Sequence, residues 1–128
     1  MGEIADVLDY GGVVTKNGLS LLNGPGNDIV AVTNLTAAGV HMILFTTGRG
    51  TPVGAPVPTV KVSTNKSLAE RKKNWIDFDA SPLIDGADMQ SLTDEFFDFI
   101  IETASGRQTK NEINGYSEIS IFKDGIVL

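Results

Sequence analysis

Two apolar runs, separated by a loop of glycine, threonine and proline, constrain the fold of this chain more than any other feature. Residues 42–45 form the first run and residues 59–64 the second. Continuous apolar character is typical of parallel strands that are covered on both faces. The three prolines of the intervening loop, Pro52, Pro56 and Pro58, prevent it from forming a helix. The two runs therefore predict buried strands of a mostly parallel sheet.

Helical patterns lie before and after these strands. Asn27 is the predicted N-cap of a first helix that should end at Gly39. Asp88 is the predicted cap of the longest helix, which should end at Gly106. The core side of the first helix comprises Ile29, Val32 and Leu35, and that of the longest comprises Met89, Leu92, Phe96, Phe99, Ile100 and Thr103.

The remaining segments complete the predicted topology. Residues 1–18 have little periodicity and are compatible with a short helix or an extended arm. Residues 19–22 predict a strand, which with the first helix and the next strand would form a right-handed βαβ unit. A last strand is predicted at residues 118–122, followed by a turn and a short run to residue 128. The sequence thus predicts one domain over residues 1–128, a three-layer, Rossmann-like α/β domain with a mostly parallel sheet.

The charge and the apolar pattern exclude several classes of protein. The net charge of −6 argues against nonspecific binding of nucleic acid or of an anionic membrane surface. No apolar run approaches the length that spans a bilayer, and the beginning of the chain lacks a signal-peptide core. We therefore expect a cytoplasmic protein that binds neither nucleic acid nor membrane.

The residue inventory also limits metal chemistry. The chain has no cysteine, which removes disulfides, thiolate ligands and cysteine nucleophiles. Its one histidine, His41, precedes a strand at the end opposite the glycine loop, so a self-contained transition-metal site is not expected. Asp77 and Asp79 alternate along a short apolar segment and could face one side together. They are either solvated carboxylates or a carboxylate site for magnesium or calcium.

The candidate binding site follows the first strand. Ligands of open α/β sheets bind at the carboxyl ends of the strands. An arginine between two glycines occupies that position, where the backbone can approach a ligand and the guanidinium fork matches a carboxylate. The predicted substrate-binding residues are Thr46, Thr47, Gly48, Arg49 and Gly50 of the loop, together with Lys61 and Asn65 of the second strand and its end. Such a pocket suits a polyhydroxylated carboxylate, whereas the residues identify no catalytic acid or base.

Three motifs, in this order, resemble the altronate and galactarate dehydratase family. They are TTGRGTP at residues 46–52, KVSTN at residues 61–65 and WIDFDA at residues 75–80. The resemblance covers nearly the whole chain and is nearer to the altronate than to the galactarate branch. It implies the carboxyl-terminal domain of a longer sugar-acid dehydratase, a hydro-lyase of hexuronate catabolism. Altronate would lose water to give 2-keto-3-deoxygluconate.

The resemblance also implies partners and a cofactor. The complete enzyme would contain iron or manganese, with its ligands mostly in a small SAF-like amino-terminal domain and a large central region. We therefore expect no metal bound by this chain alone and no turnover by it. Its partners would be those two regions and the sugar-acid substrate, in an enzyme that could also be a homo-oligomer.

Two alternatives to an altronate dehydratase domain stay open. The chain could belong to a galactarate dehydratase, or it could be a noncatalytic binding or assembly domain whose glycine loop is structural. Convergence of Arg49, Lys61 and Asn65 would favour a substrate site. An Arg49 paired to Asp77 or Asp79, in a loop packed shut, would favour the assembly domain.

Overall fold

The computed structural model describes residues 2–121, which form an α/β domain with parallel strands. The elements, in chain order, are β1 (Ile4–Leu8), β2 (Leu19–Leu22), α1 (Asp28–Ala38), β3 (Ile43–Thr47), β4 (Thr59–Ser63), α2 (Lys66–Arg71), β5 (Phe78–Asp79), a 3-10 turn (Ser81–Leu83), α3 (Met89–Ala104) and α4 (Lys110–Ile113). The predicted α/β class is confirmed, whereas the Rossmann-like arrangement stays a prediction.

The main sheet has the strand order β3-β4-β5, and both pairings are parallel. All five residues of the central strand β4 are buried. In the register of the first pair, Phe45 lies opposite Lys61 and Thr47 opposite Ser63. The two predicted strands are therefore confirmed, and their carboxyl ends lie side by side. The predicted burial holds for β4 but is wrong for one face of β3, where Leu44 is 47% exposed because β3 is the edge strand.

The core consists of two apolar clusters on opposite faces of this sheet, because side chains alternate along a strand. One cluster centres on Val32 of α1 with Ile43 and Ala55. In the other, Val60 and Val62 pack with Phe78 against α3. The Phe78 ring lies 4.7 Å from that of Phe96 and 6.0 Å from that of Phe99. Helices on both faces thus enclose β4.

The predicted helix boundaries are largely confirmed. The Asn27 side chain accepts a hydrogen bond from the Val30 amide, and Gly39 ends α1 with a φ of 103°. The Asp88 carboxylate accepts from the Ser91 amide at 2.8 Å and caps α3. The prediction that Met89 belongs to the core side of α3 is wrong, because Met89 lies in the first turn and is exposed.

The predicted βαβ unit through α1 is wrong. Strand β2 pairs with β1 in a separate two-stranded parallel sheet, so α1 connects two sheets. An irregularity in the pairing between Ile4 and Asp6 interrupts the alternation of β1, which explains why its sequence gives little periodicity. A βαβ unit does exist, formed by β4, α2 and β5.

The predicted last strand is also wrong over its described part, residues 118–121. Glu118 is held by Gly54, whose carbonyl accepts from the Glu118 amide at 2.7 Å and whose amide donates to the Glu118 carboxylate at 2.8 Å. The Ser120 amide donates to the Thr33 hydroxyl at 2.9 Å. This segment therefore makes separate contacts to a loop and to α1, instead of the regular backbone hydrogen bonds of a β-strand. Phe122 and the predicted elements after it lie outside the described residues.

The loop between β3 and β4 closely approaches the segment that follows α3. A Cβ atom on Gly54 would lie 2.5 Å from the Asn111 amide nitrogen and 2.5 Å from the Tyr116 carbonyl oxygen. Among residues 2–121, a Cβ on Gly48 would meet only the Thr64 hydroxyl, at 3.8 Å. The two glycines of one loop thus differ in how much space surrounds them.

We expect Gly54→Ala to reduce the free energy of unfolding by about 1–3 kcal/mol, because the new methyl group forces backbone apart. Gly48→Ala is the matched control and should change it by less than about 1 kcal/mol, because its surroundings are open. Urea denaturation of the purified chain measures both. Equal stabilities of the two variants would contradict the close approach at Gly54.

Candidate functional site

The structure brings most of the predicted site residues to one edge of the sheet. The loop that follows β3 and the residues that follow β4 contact each other directly, because the Asn65 side-chain amide donates to the Gly48 carbonyl at 2.7 Å. The Thr64 amide also donates to the Thr47 carbonyl, at 3.4 Å. Thr46, Thr47, Gly48, Arg49, Gly50 and Asn65 therefore share the carboxyl edge of β3 and β4.

Several of these residues use their polar groups to hold the loop. The Thr47 hydroxyl accepts from the Gly50 amide at 2.9 Å. The Asn65 side-chain oxygen accepts from the Leu68 amide at 2.9 Å and caps α2. Gly50 has a φ of 81°, and a Cβ there would lie 2.7 Å from the Leu68 side chain, so this position requires glycine. Thr47, Gly50 and Asn65 thus shape the loop around Arg49.

Arg49 is exposed on this edge. Within residues 2–121 the ion pairs are Lys16 with Asp6 and Arg107 with Glu102, so the Arg49 guanidinium has no carboxylate partner in that part of the chain. The pairing to Asp77 or Asp79 that would favour a closed structural loop is not formed. The loop presents Arg49, with the exposed Thr46 and Gly48, to the outside.

Lys61 lies apart from that group, inside the sheet. It occupies the middle of β4 opposite Phe45 and is 1% exposed. Burial lowers the pKa of the Lys61 ammonium, and the charges of Asp77 and Glu118 oppose that shift. The predicted convergence of Lys61 with Arg49 is therefore not found in this structure.

Asp77 is a half-buried side chain that connects several elements, rather than a fully solvated carboxylate. One oxygen accepts from the Lys61 backbone amide at 2.8 Å and the other from the Lys110 backbone amide at 2.7 Å. Burial raises the pKa of Asp77, and the two hydrogen bonds and the neighbouring lysines oppose the shift. Asp79 accepts locally from the Ser81 amide at 2.9 Å. Both carboxylates therefore accept hydrogen bonds from backbone amides, and both line one cavity beside α3.

Sequence reasoning missed the residues that enclose Lys61 and Asp77. Lys110 and Glu118 come from the segment after α3, and no local pattern signals that this segment returns to β4. The sequence does contain a signal for the capping role of Asn65, because asparagine is a preferred N-cap residue and Asn65 directly precedes a helical stretch.

The described residues do not fit an iron or manganese site. Residues 2–121 contain no group of three or more histidine, aspartate or glutamate side chains placed to hold an ion. His41 is exposed and precedes β3, at the end of that strand opposite the Arg49 loop. In the same part of the chain, no helix has the length and apolar character required to cross a membrane.

Comparison with known proteins identifies the family. Residues 1–127 match the family described as D-galactarate/altronate dehydratase, C-terminal. The chain belongs to this family. It is 55% identical, over 98% of its length, to altronate dehydratase of Escherichia coli strain K12, and 49% identical, over 100%, to altronate dehydratase of Bacillus subtilis strain 168. Identity to galactarate dehydratase (L-threo-forming) of Escherichia coli strain K12 is 36% over 82% of the chain.

These matches confirm the resemblance noted in the sequence and define its extent. The chain spans 25%, 26% and 20% of the lengths of these three relatives, respectively. It therefore corresponds to the carboxyl-terminal domain of its family and to about a quarter of the altronate dehydratases that it matches.

Proposed function

We propose that this chain is the carboxyl-terminal domain of an altronate dehydratase, a hydro-lyase that converts D-altronate to 2-keto-3-deoxy-D-gluconate in hexuronate catabolism in the cytoplasm. One observation carries the choice of substrate. The chain is 55% and 49% identical to two altronate dehydratases but 36% identical to a galactarate dehydratase. The amino-terminal and central regions of the same enzyme would be its partners.

The chemistry of this reaction defines what the domain has to supply. Loss of water next to a carboxylate removes the proton at C2, expels the hydroxyl at C3 and builds negative charge on the carboxylate oxygens. A fixed cation that binds those oxygens stabilises the charge as it develops. Arg49 is exposed at the sheet edge without a carboxylate partner in residues 2–121, so its guanidinium is available for this task.

The other predicted residues have three different roles in this proposal. Thr46 and Gly48 are exposed beside Arg49 and would contact the substrate's hydroxyls. Thr47, Gly50 and Asn65 would act as positioning residues, because their polar groups already hold the loop. Lys61 would stabilise the sheet beneath the loop. The divalent metal, iron or manganese, would be held by the regions outside this chain.

One observation favours the alternative of a noncatalytic assembly domain. Of the three polar side chains expected to converge, Asn65 is engaged by the loop and by α2, and Lys61 is buried in β4. Of these three residues, Arg49 is exposed, Asn65 is half-buried and Lys61 is buried. The decision between the two functions therefore depends on Arg49.

The proposed activity is tested with the complete polypeptide that carries this domain. With iron or manganese supplied, we expect formation of the 2-keto-3-deoxy acid from altronate with a higher kcat/KM than from galactarate. The purified 128-residue chain should form no product under the same conditions. A preference for galactarate would overturn the assigned substrate, and turnover by the chain alone would overturn the division of roles.

Arg49→Ala in the complete enzyme should reduce kcat/KM for altronate at least about ten-fold, because a desolvated arginine–carboxylate pair contributes about 2–5 kcal/mol. Arg49→Lys should recover little of this loss, since lysine lacks the planar fork. Arg71→Ala, at an exposed arginine in α2, is the matched control and should leave kcat/KM unchanged. If a folded Arg49→Ala enzyme keeps normal kcat/KM, the assembly function is favoured.

A further inference from the structure

The two-stranded sheet of β1 and β2 has one apolar face that nothing in residues 2–121 covers. In its parallel register, Ile4 lies opposite Leu19 and Val7 opposite Leu21. These paired residues share a face, since paired side chains of neighbouring strands project to the same side. They are 54%, 54%, 69% and 47% exposed, respectively. We call these four residues the aliphatic face.

Exposure of this face to water is energetically unfavourable unless another part of the protein covers it. Two strands alone are marginally stable in water, and parallel strands are normally covered on both sides. Here Leu8 and Leu22, on the opposite face, are half-buried, whereas the aliphatic face leaves four branched side chains in contact with water. Within residues 2–121, the two-stranded sheet is therefore partly covered on the face of Leu8 and Leu22 and uncovered on the aliphatic face.

The sheet is also firmly positioned, so the aliphatic face is not a loose arm. Asn34 of α1 is buried, and its side-chain oxygen accepts from the Gly11 amide at 2.9 Å. Its amide nitrogen donates to the Asn23 carbonyl, also at 2.9 Å. The Val14 amide adds a bond to the Ala38 carbonyl at the end of α1. The segments that follow β1 and β2 are therefore both fixed to α1.

We propose that the aliphatic face docks against the part of the dehydratase polypeptide that precedes this domain. The proposal rests on the proposed function in one respect, that the chain is the carboxyl-terminal domain of a longer enzyme. About three quarters of the length of the matched altronate dehydratases lies outside the region that this chain covers. Because the matched family region is carboxyl-terminal, that length would precede β1 in the complete enzyme, and Ile4 of the aliphatic face is the first residue of β1.

Covalent connection favours this occupant, and the charge of the chain opposes a second copy. A tethered segment competes at an effective concentration on the order of millimolar. Two copies of the chain would each bring a net charge of −6 and repel one another. The occupant should present an apolar surface of its own, since the aliphatic face offers four hydrocarbon side chains and no charge.

Site-specific photo-crosslinking in the complete polypeptide tests this docking. A benzophenone amino acid replaces Val7 in one variant and Leu21 in another, and crosslinked peptides are identified by mass spectrometry. Ile84, which is 75% exposed and lies outside the β1–β2 sheet, is the matched control position. Thermal melting verifies that each variant is folded. Both face positions should give intramolecular crosslinks to peptides that precede this domain, in yields several-fold above the control.

Three outcomes would overturn the proposal. Crosslinks to a second copy of this domain would make the aliphatic face a dimer interface. Crosslinks to residues 122–128 would make it a seat for the end of the same chain, and yields no higher than at position 84 would leave the face uncovered. Turnover of altronate by the unmodified enzyme is measured in parallel. Crosslinking without altronate turnover would reject the proposed function alone, and turnover without crosslinking would reject the docking alone.

Discussion

The carboxylate of Asp77 is the interaction on which the rest of this structure depends. It accepts hydrogen bonds from the backbone amides of Lys61 in β4 and Lys110 in α4. In addition, the Asp77 backbone amide donates a hydrogen bond to the Lys61 carbonyl at 2.9 Å. Burial favours the neutral form of both side chains, lowering the pKa of Lys61 and raising that of Asp77. The attraction between the two opposite charges offsets part of that cost for each side chain.

This connection fixes the segment after α3 against the sheet. Thr109 and Asn111 are buried, and their side chains are hydrogen-bonded at 2.8 Å. Further along, Glu118 is bonded twice to Gly54 in the loop between β3 and β4. The far half of that loop is therefore clamped, and its first half, at the carboxyl edge of β3, presents Arg49 to the outside. The proposed substrate contact thus lies in the part of the loop that precedes the segment held by Glu118.

The features that the sequence predicted correctly are those with local causes. Apolar runs define β3 and β4, and the capping side chains of Asn27 and Asp88 define where α1 and α3 begin. The pairing of β1 with β2 depends on contacts across a ten-residue loop and on a register irregularity. The burial of Lys61 depends on Asp77 and on a segment far along the chain, so its place in the candidate site could not be predicted from its strand alone.

The most direct test of this account compares Asp77→Asn with Asp79→Asn in urea denaturation of the chain. An asparagine at position 77 keeps one acceptor oxygen and leaves one of two backbone amides without a partner, which should cost about 1–3 kcal/mol. An asparagine at position 79 still accepts from Ser81 and should change the stability by less than about 0.5 kcal/mol. Equal free energies of unfolding for the two variants would contradict the central role of Asp77.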